Sequence, residues 1–218
     1  SWLFLSGLID VVYQRGYTLL IGKFYGTRDL GIYNRADNVQ GLATGLITDT
    51  LSKVAFPLFS SVNQEPERLR SGMRMAVRSM MLITAPCMMG LAVLAGPFIQ
   101  VVFGDKWLEA APILQVLCLT GLLYPLHVIN LNVLQAQGHT KLFFKLELVK
   151  KSVGILLLIG GSWFGLIGIA LGRAIGSIFA LFVNSYYTKQ LLSYGMAGQI
   201  KDSAMSLFLA VVMAGIVY

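Results

Sequence analysis

Three tracts of this chain contain no charged residue: Ser79 to Gly104, Ala110 to Gly138 with His127 neutral, and Ser152 to Gly172. A helix needs ~20 apolar residues to cross the hydrocarbon core of a bilayer, and each tract is long enough. They do not alternate apolar and polar residues, as the strands of a membrane barrel would. In lipid, backbone amides and carbonyls must be satisfied internally, which leaves helices. Charge is scarce overall, at 12% of residues, against about 25% in an ordinary soluble domain. The expected fold is all-α, a polytopic transmembrane helix bundle of about six full spans plus a truncated seventh. The spans fall at about 2–23, 37–60, 76–101, 109–135, 143–163, 165–189 and 204 onward. Residues 1–190 would form a six-helix bundle, and 191–218 a cytoplasmic link with the start of a further span. The chain begins at Ser1 and stops at Tyr218 inside apolar runs, so a piece of a longer membrane protein is expected.

The net charge is +7. The basic residues sit at the ends of the apolar runs, where they act as topology signals, so nucleic acid is not an expected partner. Arg68, Arg70, Arg74, Arg78, Lys141, Lys145, Lys150, Lys151, Lys189 and Lys201 fall in alternate links. Only Lys23, Arg28, Arg35 and Lys106 fall in the opposite set. That imbalance puts Ser1 and the links near 70, 145 and 195 on the cytoplasmic side. The segment NQEPERLRSGMRMAVRSMM is amphipathic and is expected to lie along the membrane surface before the third span. Cys87 and Cys118 lie within apolar runs without metal-ligand spacing and read as small packing residues. No GxxxxGK[ST], GxGxxG, HExxH, GxSxG or CxxC motif is present, so neither a cofactor, a bound metal nor an enzyme is expected.

Polar side chains inside the spans are the functional signal. An ionisable group in lipid costs several kcal/mol unless it faces a partner or a watery cavity. On a helical wheel Ser6, Asp10, Tyr13, Gln14, Tyr17 and Thr18 share one side of the first span, with Arg15 at its edge. Thr120, Tyr124, His127 and Gln135 share a face of the fourth span. Arg173, Ser177, Asn184 and Tyr187 share a face of the sixth. Two readings follow, a hydrated cleft or interhelical hydrogen bonding. In the cleft reading Arg15, Arg173, Tyr13, Gln14, Asn184 and Tyr187 would contact substrate. Asp10, Asp49 and His127 would be candidates for ion or proton coupling. The plainer alternatives are a hydrogen-bonded interior histidine for His127 and a local ion pair between Asp49 and Lys53. Lys145, Glu147, Lys150 and Lys151 at the start of the fifth span must snorkel, pair or face a cavity. Glu147 and Lys151, four residues apart, can pair. Gly168, Gly172, Gly176 and Ala180 make a small-residue stripe suited to close helix packing.

LLIGKFYGTRDLGIYNRADNV (19–39), VAFPLFSSVNQEPERLR (54–70), VVFGDKWLEAAPILQVL (101–117) and NVLQAQGHTKLFFKLELVKKSVG (132–154) together resemble the polysaccharide-exporter family. This is the Wzx-like branch of the multidrug/oligosaccharidyl-lipid/polysaccharide flippase superfamily, and within it the colanic-acid and lipopolysaccharide exporter subgroup. The resemblance implies one lobe of a two-lobed transporter, the N-terminal lobe being absent from this chain. It implies a multi-pass protein of the bacterial inner membrane. The implied partners are membrane lipids, a lipid-linked oligosaccharide carried on undecaprenyl pyrophosphate, and the enzymes that assemble the polysaccharide. Family members often place Asn or Asp just before the LLIGK run, where this chain has Arg15, Gly16, Tyr17 and Thr18. Rival readings are a drug or peptidoglycan-precursor exporter of the same superfamily, or an integral-membrane glycan polymerase or ligase.

Overall fold

A computed structural model describes the backbone of residues 2–217, and every side chain within it except those at positions 2–4, 49–52 and 54. The expected Asp49–Lys53 pair, and the coupling role of Asp49, fall outside the described side chains. The chain is all-helical: α1 (Trp2–Ser61), α2 (Pro66–Val93), α3 (Ala95–Phe103), α4 (Ala110–Ala136), α5 (Thr140–Ser162), α6 (Gly165–Leu192) and α7 (Met196–Val217), with a short 3-10 turn at Asp105–Trp107. Among the described residues α2, α4, α6 and α7 are long and apolar enough to cross a membrane. The arms of α1 and the whole of α5 fall short of that measure, and they carry the charges described below.

α1 is two spans folded at one residue. Gly26 has φ 85° and ψ 177°, a conformation that a residue with a Cβ rarely adopts. The neighbours of each arm give its direction. In the first arm Tyr13 meets Gly154 and Tyr25 donates to the Ser162 carbonyl, so this arm runs parallel to α5. In the second arm Arg28 pairs with Glu109 at 2.7 Å and Asn63, just beyond it, bonds the Ala136 carbonyl at 3.3 Å. That arm runs parallel to α4. α4 and α5 are antiparallel across a three-residue link, so the arms of α1 are antiparallel too. The polar link expected between 24 and 36 is therefore helix. Its two arginines are satisfied in place: Arg28 by Glu109, and Arg35 by the rings of Phe103 and Trp107 at 5.0 and 4.9 Å. Pairing and cation–π contact remove the need for a solvated loop.

Two more boundaries differ from expectation. The amphipathic segment before the third span does not form a separate surface helix; it is the first turns of α2, which starts at Pro66 with proline in its first turn. Proline is tolerated there because that amide has no partner within the helix. Leu69, Met73 and Val77 are fully buried along this stretch. The third span also breaks at Leu94, because Pro97 lacks an amide hydrogen and its ring opposes the carbonyl of Val93. The last helix begins at Met196 rather than 204 and packs along α2.

The interior has two apolar cores. One lies toward the Gly26 end, around Ile21, Tyr33, Ile99, Leu114, Leu117 and Ile169. The other lies toward the opposite end, around Phe59, Leu69, Met73, Met81, Leu126 and Val133. Between them runs a buried polar layer including Gln40, Thr44 and Ser177, and Thr84, Asn130 and Asn184 carry buried polar groups on into the second core. Asn130 and Gln199 exchange two amide hydrogen bonds of 2.9 Å, tying α4 to α7. Large apolar side chains cover the outside, among them Leu19, Leu46, Val101, Leu156 and Phe208. Trp163 and Phe164, both over 80% exposed, sit where α5 turns into α6 near the Gly26 end. Aromatic side chains at that level match a membrane interface.

The basic links near 70, 139 and 195 share one end of this bundle, and Gly26, Asp105 and Trp163 share the other. With the positive-inside orientation, cysteines replacing Arg70 and His139 are expected to resist an impermeant thiol reagent added to intact cells. A cysteine replacing Asp105 is expected to react. Labelling at 139 from outside would reverse the orientation.

Candidate functional site

The polar layer opens into a cavity of about 210 Å³ lined by Tyr13 and Tyr17 of α1, Thr120 and His127 of α4, Glu147, Lys150 and Lys151 of α5, and Arg173 and Ser177 of α6. Lys151 is its central group. It lies midway along α5 (Thr140–Ser162), about 16 Å from either end at 1.5 Å per residue, so its ammonium cannot snorkel to water. It is 9% exposed. Its Nζ donates to Asp10 of the first arm, stands 3.5 Å from Glu147 and lies over the Tyr13 ring at 5.0 Å. Lys150 holds the other oxygen of Glu147. Gln14 donates to Asp10 at 3.1 Å. Two lysines and two carboxylates thus neutralise one another across α1 and α5, which is what an apolar surrounding demands.

Arg173 performs a similar function on α6. It donates to Asp37 at 2.5 Å and to the Tyr33 hydroxyl at 3.5 Å, both on the second arm of α1. One helical turn further along, Ser177 shares a 2.9 Å hydrogen bond with His127 Nε2. Asn184 bonds His127 Nδ1 at 3.5 Å, which makes His127 a bridge between α4 and α6. Asn184 Oδ1 and Thr120 Oγ1 are buried with no acceptor or donor among the described residues. An unmet buried polar atom costs about 1–3 kcal/mol; both border the layer that contains the cavity.

The structure brings together Tyr13, Arg173, His127 and Asn184 of the sequence-predicted residues, with Asp10 at the rim. It does not bring Arg15 to them. Arg15 is on the exposed side of the first arm and has no ion-pair partner among the described residues. Gln14 is exposed as well, and Tyr187 stacks edge-on with Tyr186 at 5.3 Å rather than with the cavity. Asp37, Tyr33 and the role of Lys151 as hub were not read from sequence. Asp37 stands at the edge of an expected span, yet Tyr33 and Asp37 are one helical turn apart and so share a face.

A family model described as "Polysaccharide biosynthesis protein" matches residues 1–112, just over half of the chain. The chain belongs to the polysaccharide biosynthesis protein family. This family member is 34% identical over 178 residues to the teichuronic acid biosynthesis protein TuaB of Bacillus subtilis, covering 81% of this chain and 36% of TuaB. It is 29% identical over 204 residues to the lipopolysaccharide biosynthesis protein WzxC of Escherichia coli, covering 88% of this chain and 42% of WzxC. It therefore spans well under half the length of these relatives. Its fold is similar to that of part of the lipid II flippase MurJ in the inward closed conformation, with TM-score 0.84 at 20% identity over 98% of this chain and 45% of MurJ. The chain is thus a multi-pass membrane helix bundle. The matched half contains Asp10 and Asp37, two of the carboxylates that hold the interior network together.

Proposed function

We propose that the protein containing this chain is a transporter and not an enzyme. It flips lipid-linked oligosaccharide, carried on undecaprenyl pyrophosphate, from the cytoplasmic to the periplasmic leaflet for surface polysaccharide synthesis. The observation that carries the reading is the paired charge layer at mid-height. Lys151–Asp10 and Arg173–Asp37 join the two arms of α1 to α5 and α6 inside a membrane bundle, and Glu147–Lys150 adds a pair within α5. Such charges are costly in lipid and mark transport paths and relays. Membership in a polysaccharide biosynthesis family and the flippase fold support the same class, and the names of the relatives favour glycan over drug.

In this reading the chain is one lobe (residues 1–190, with 191–218 leading into a further helix), and it rocks against another lobe by alternating access. Arg173 is the tie between the second arm and α6. Lys151 and Asp10 are the coupling pair: protonation of Asp10 would release Lys151 to Glu147 and loosen the first arm from α5. His127 would relay a proton to that pair. Arg15, with Gln14, projects from the exposed side of the first arm, where it can meet the pyrophosphate in a cleft between lobes.

Arg15→Ala is then expected to leave the protein in the membrane and to abolish surface glycan normalised to protein level. Arg15→Lys is expected to keep part of it, since charge survives while the planar fork is lost. Normalised export unchanged in Arg15→Ala would end the substrate role of Arg15.

A further inference from the structure

Away from the interior layer, the end of the bundle assigned to the cytoplasm holds a second cavity, of about 570 Å³. It lies between the start of α2, the end of α6 and the start of α7. Its cations are Arg70, Arg74, Lys189 and Lys201, and its only acid is Asp202. That acid is already taken. Arg74 donates to both of its oxygens at 2.9 and 3.1 Å, Arg78 donates at 2.5 and 3.1 Å, and the Tyr194 hydroxyl donates at 2.9 Å. The Asp202 side chain is only 4% exposed, so it serves as a clamp between α2 and α7 and leaves little field for further cations. Arg70, Lys189 and Lys201 have no carboxylate partner among the described residues. The Nε of Arg70 is shielded from solvent with no acceptor among the described residues. The first-turn amides of α7 also border the cavity, and such amides favour an anion.

The cavity lining therefore suits an anion with several acceptor oxygens. Its walls indicate where that anion comes from. Phe182 and Tyr186 of α6 line it and are half-exposed or more, and Ile178 continues the same exposed apolar face one turn deeper into the membrane. A soluble phosphate would have no use for that strip, whereas acyl chains would lie along it. We infer that this cavity is a binding site for the phosphate headgroup of an anionic glycerophospholipid of the cytoplasmic leaflet, seated between α2, α6 and α7. The headgroup is held by Arg70, Lys189 and Lys201, while the Asp202 clamp fixes the spacing of the helices around it. Basic pockets of this kind at the cytoplasmic ends of helices suit such headgroups.

A simple topology signal would also place lysines here, and the test separates the two. The full-length protein is purified and titrated with phosphatidylglycerol or phosphatidylcholine, and bound lipid is counted by native mass spectrometry. Lys189→Gln/Lys201→Gln removes two exposed lysines without touching the clamp. Phosphatidylglycerol binding is expected to weaken roughly thirtyfold, from about one kcal/mol per basic residue, with phosphatidylcholine binding unchanged. Arg70→Gln alone is expected to weaken it too, giving a second reading should the double variant elute aggregated. Lys141→Gln/Lys145→Gln, at the same end of the bundle but outside the cavity, is expected to change it less than threefold. Equal losses in the two lysine pairs would overturn the site. So would equal affinity for the two lipids, or displacement of phosphatidylglycerol by millimolar inorganic phosphate.

Discussion

Lys151→Met is expected to be the most damaging single substitution in the interior layer, lowering stability by about 1–3 kcal/mol, short of the cost of breaking a fully buried ion pair because the Asp10 side chain is half-exposed. The ammonium serves Asp10 and Glu147 together. Its loss leaves Glu147 with Lys150 alone and Asp10 with only the Gln14 amide. Methionine fills the volume, so the cost measures charge and not a void. Lys151→Met/Asp10→Asn should recover much of the loss, because removing both partners leaves no uncompensated charge between α1 and α5. The difference between the double variant and the sum of the singles is expected at about 1–3 kcal/mol. Melting of the purified protein and its level in the membrane give the comparison. Two results would contradict the assignment: a loss no greater than that of Lys145→Met, an exposed lysine on the same helix, or a double variant as unstable as Lys151→Met. The double variant also tests function. If it is abundant in the membrane yet exports no glycan, the pair couples transport; if it exports normally, the pair is only structural.

The spans were legible because uncharged tracts report burial in lipid directly. Their meeting points were not. The glycine stripe of α6 and the i, i+4 relation of Glu147 to Lys151 are local patterns, and both show in the sequence. The bond from Lys151 to Asp10 crosses 141 positions, and no spacing rule reaches that far. The same holds for Arg173 and Asp37. The charges around Gly26 suggest a loop, whereas one residue at positive φ is enough to reverse the chain. The first arm shows how finely a wheel must be read. Asp10, Tyr13 and Tyr17 are spaced at i, i+3 and i+7 and turn inward to α5. Arg15 is two residues from Tyr13, about 200° round the helix, and so faces outward. A wheel defines one polar side; packing decides which part of it is interior.

The contact between α5 and α6 leads to the second large prediction. A Cβ at position 168 would stand 2.3 Å from the carbonyl oxygen of Gly161 and 2.5 Å from the Phe164 Cβ. At 161 it would stand 2.5 Å from the Gly168 oxygen, and at 172 it would stand 2.8 Å from the Leu157 oxygen. These neighbours are mostly backbone atoms and cannot rotate away, so the helices must part. Helices in lipid are held by close packing and not by exclusion of water, which makes separation expensive. Gly168→Ala is expected to cost about 2–3 kcal/mol, at the upper end of overpacking effects, and Gly172→Leu to cost at least as much. Gly176 is the internal control. A Cβ there meets only the flexible end of Leu157 at 3.4 Å, and alanine improves helix propensity by up to ~1 kcal/mol. Gly176→Ala should therefore be neutral or slightly stabilising. The damage also has a route to the interior charge layer. Gly172 adjoins Arg173, and Leu157 lies less than two turns beyond Lys151. Parting α5 from α6 would pull Lys151 away from the cavity that Arg173 shares. Gly168→Ala and Gly172→Leu should thus lose glycan export per molecule as well as abundance. Equal melting temperatures for Gly168→Ala and Gly176→Ala would show that the stripe does not set the approach of these helices.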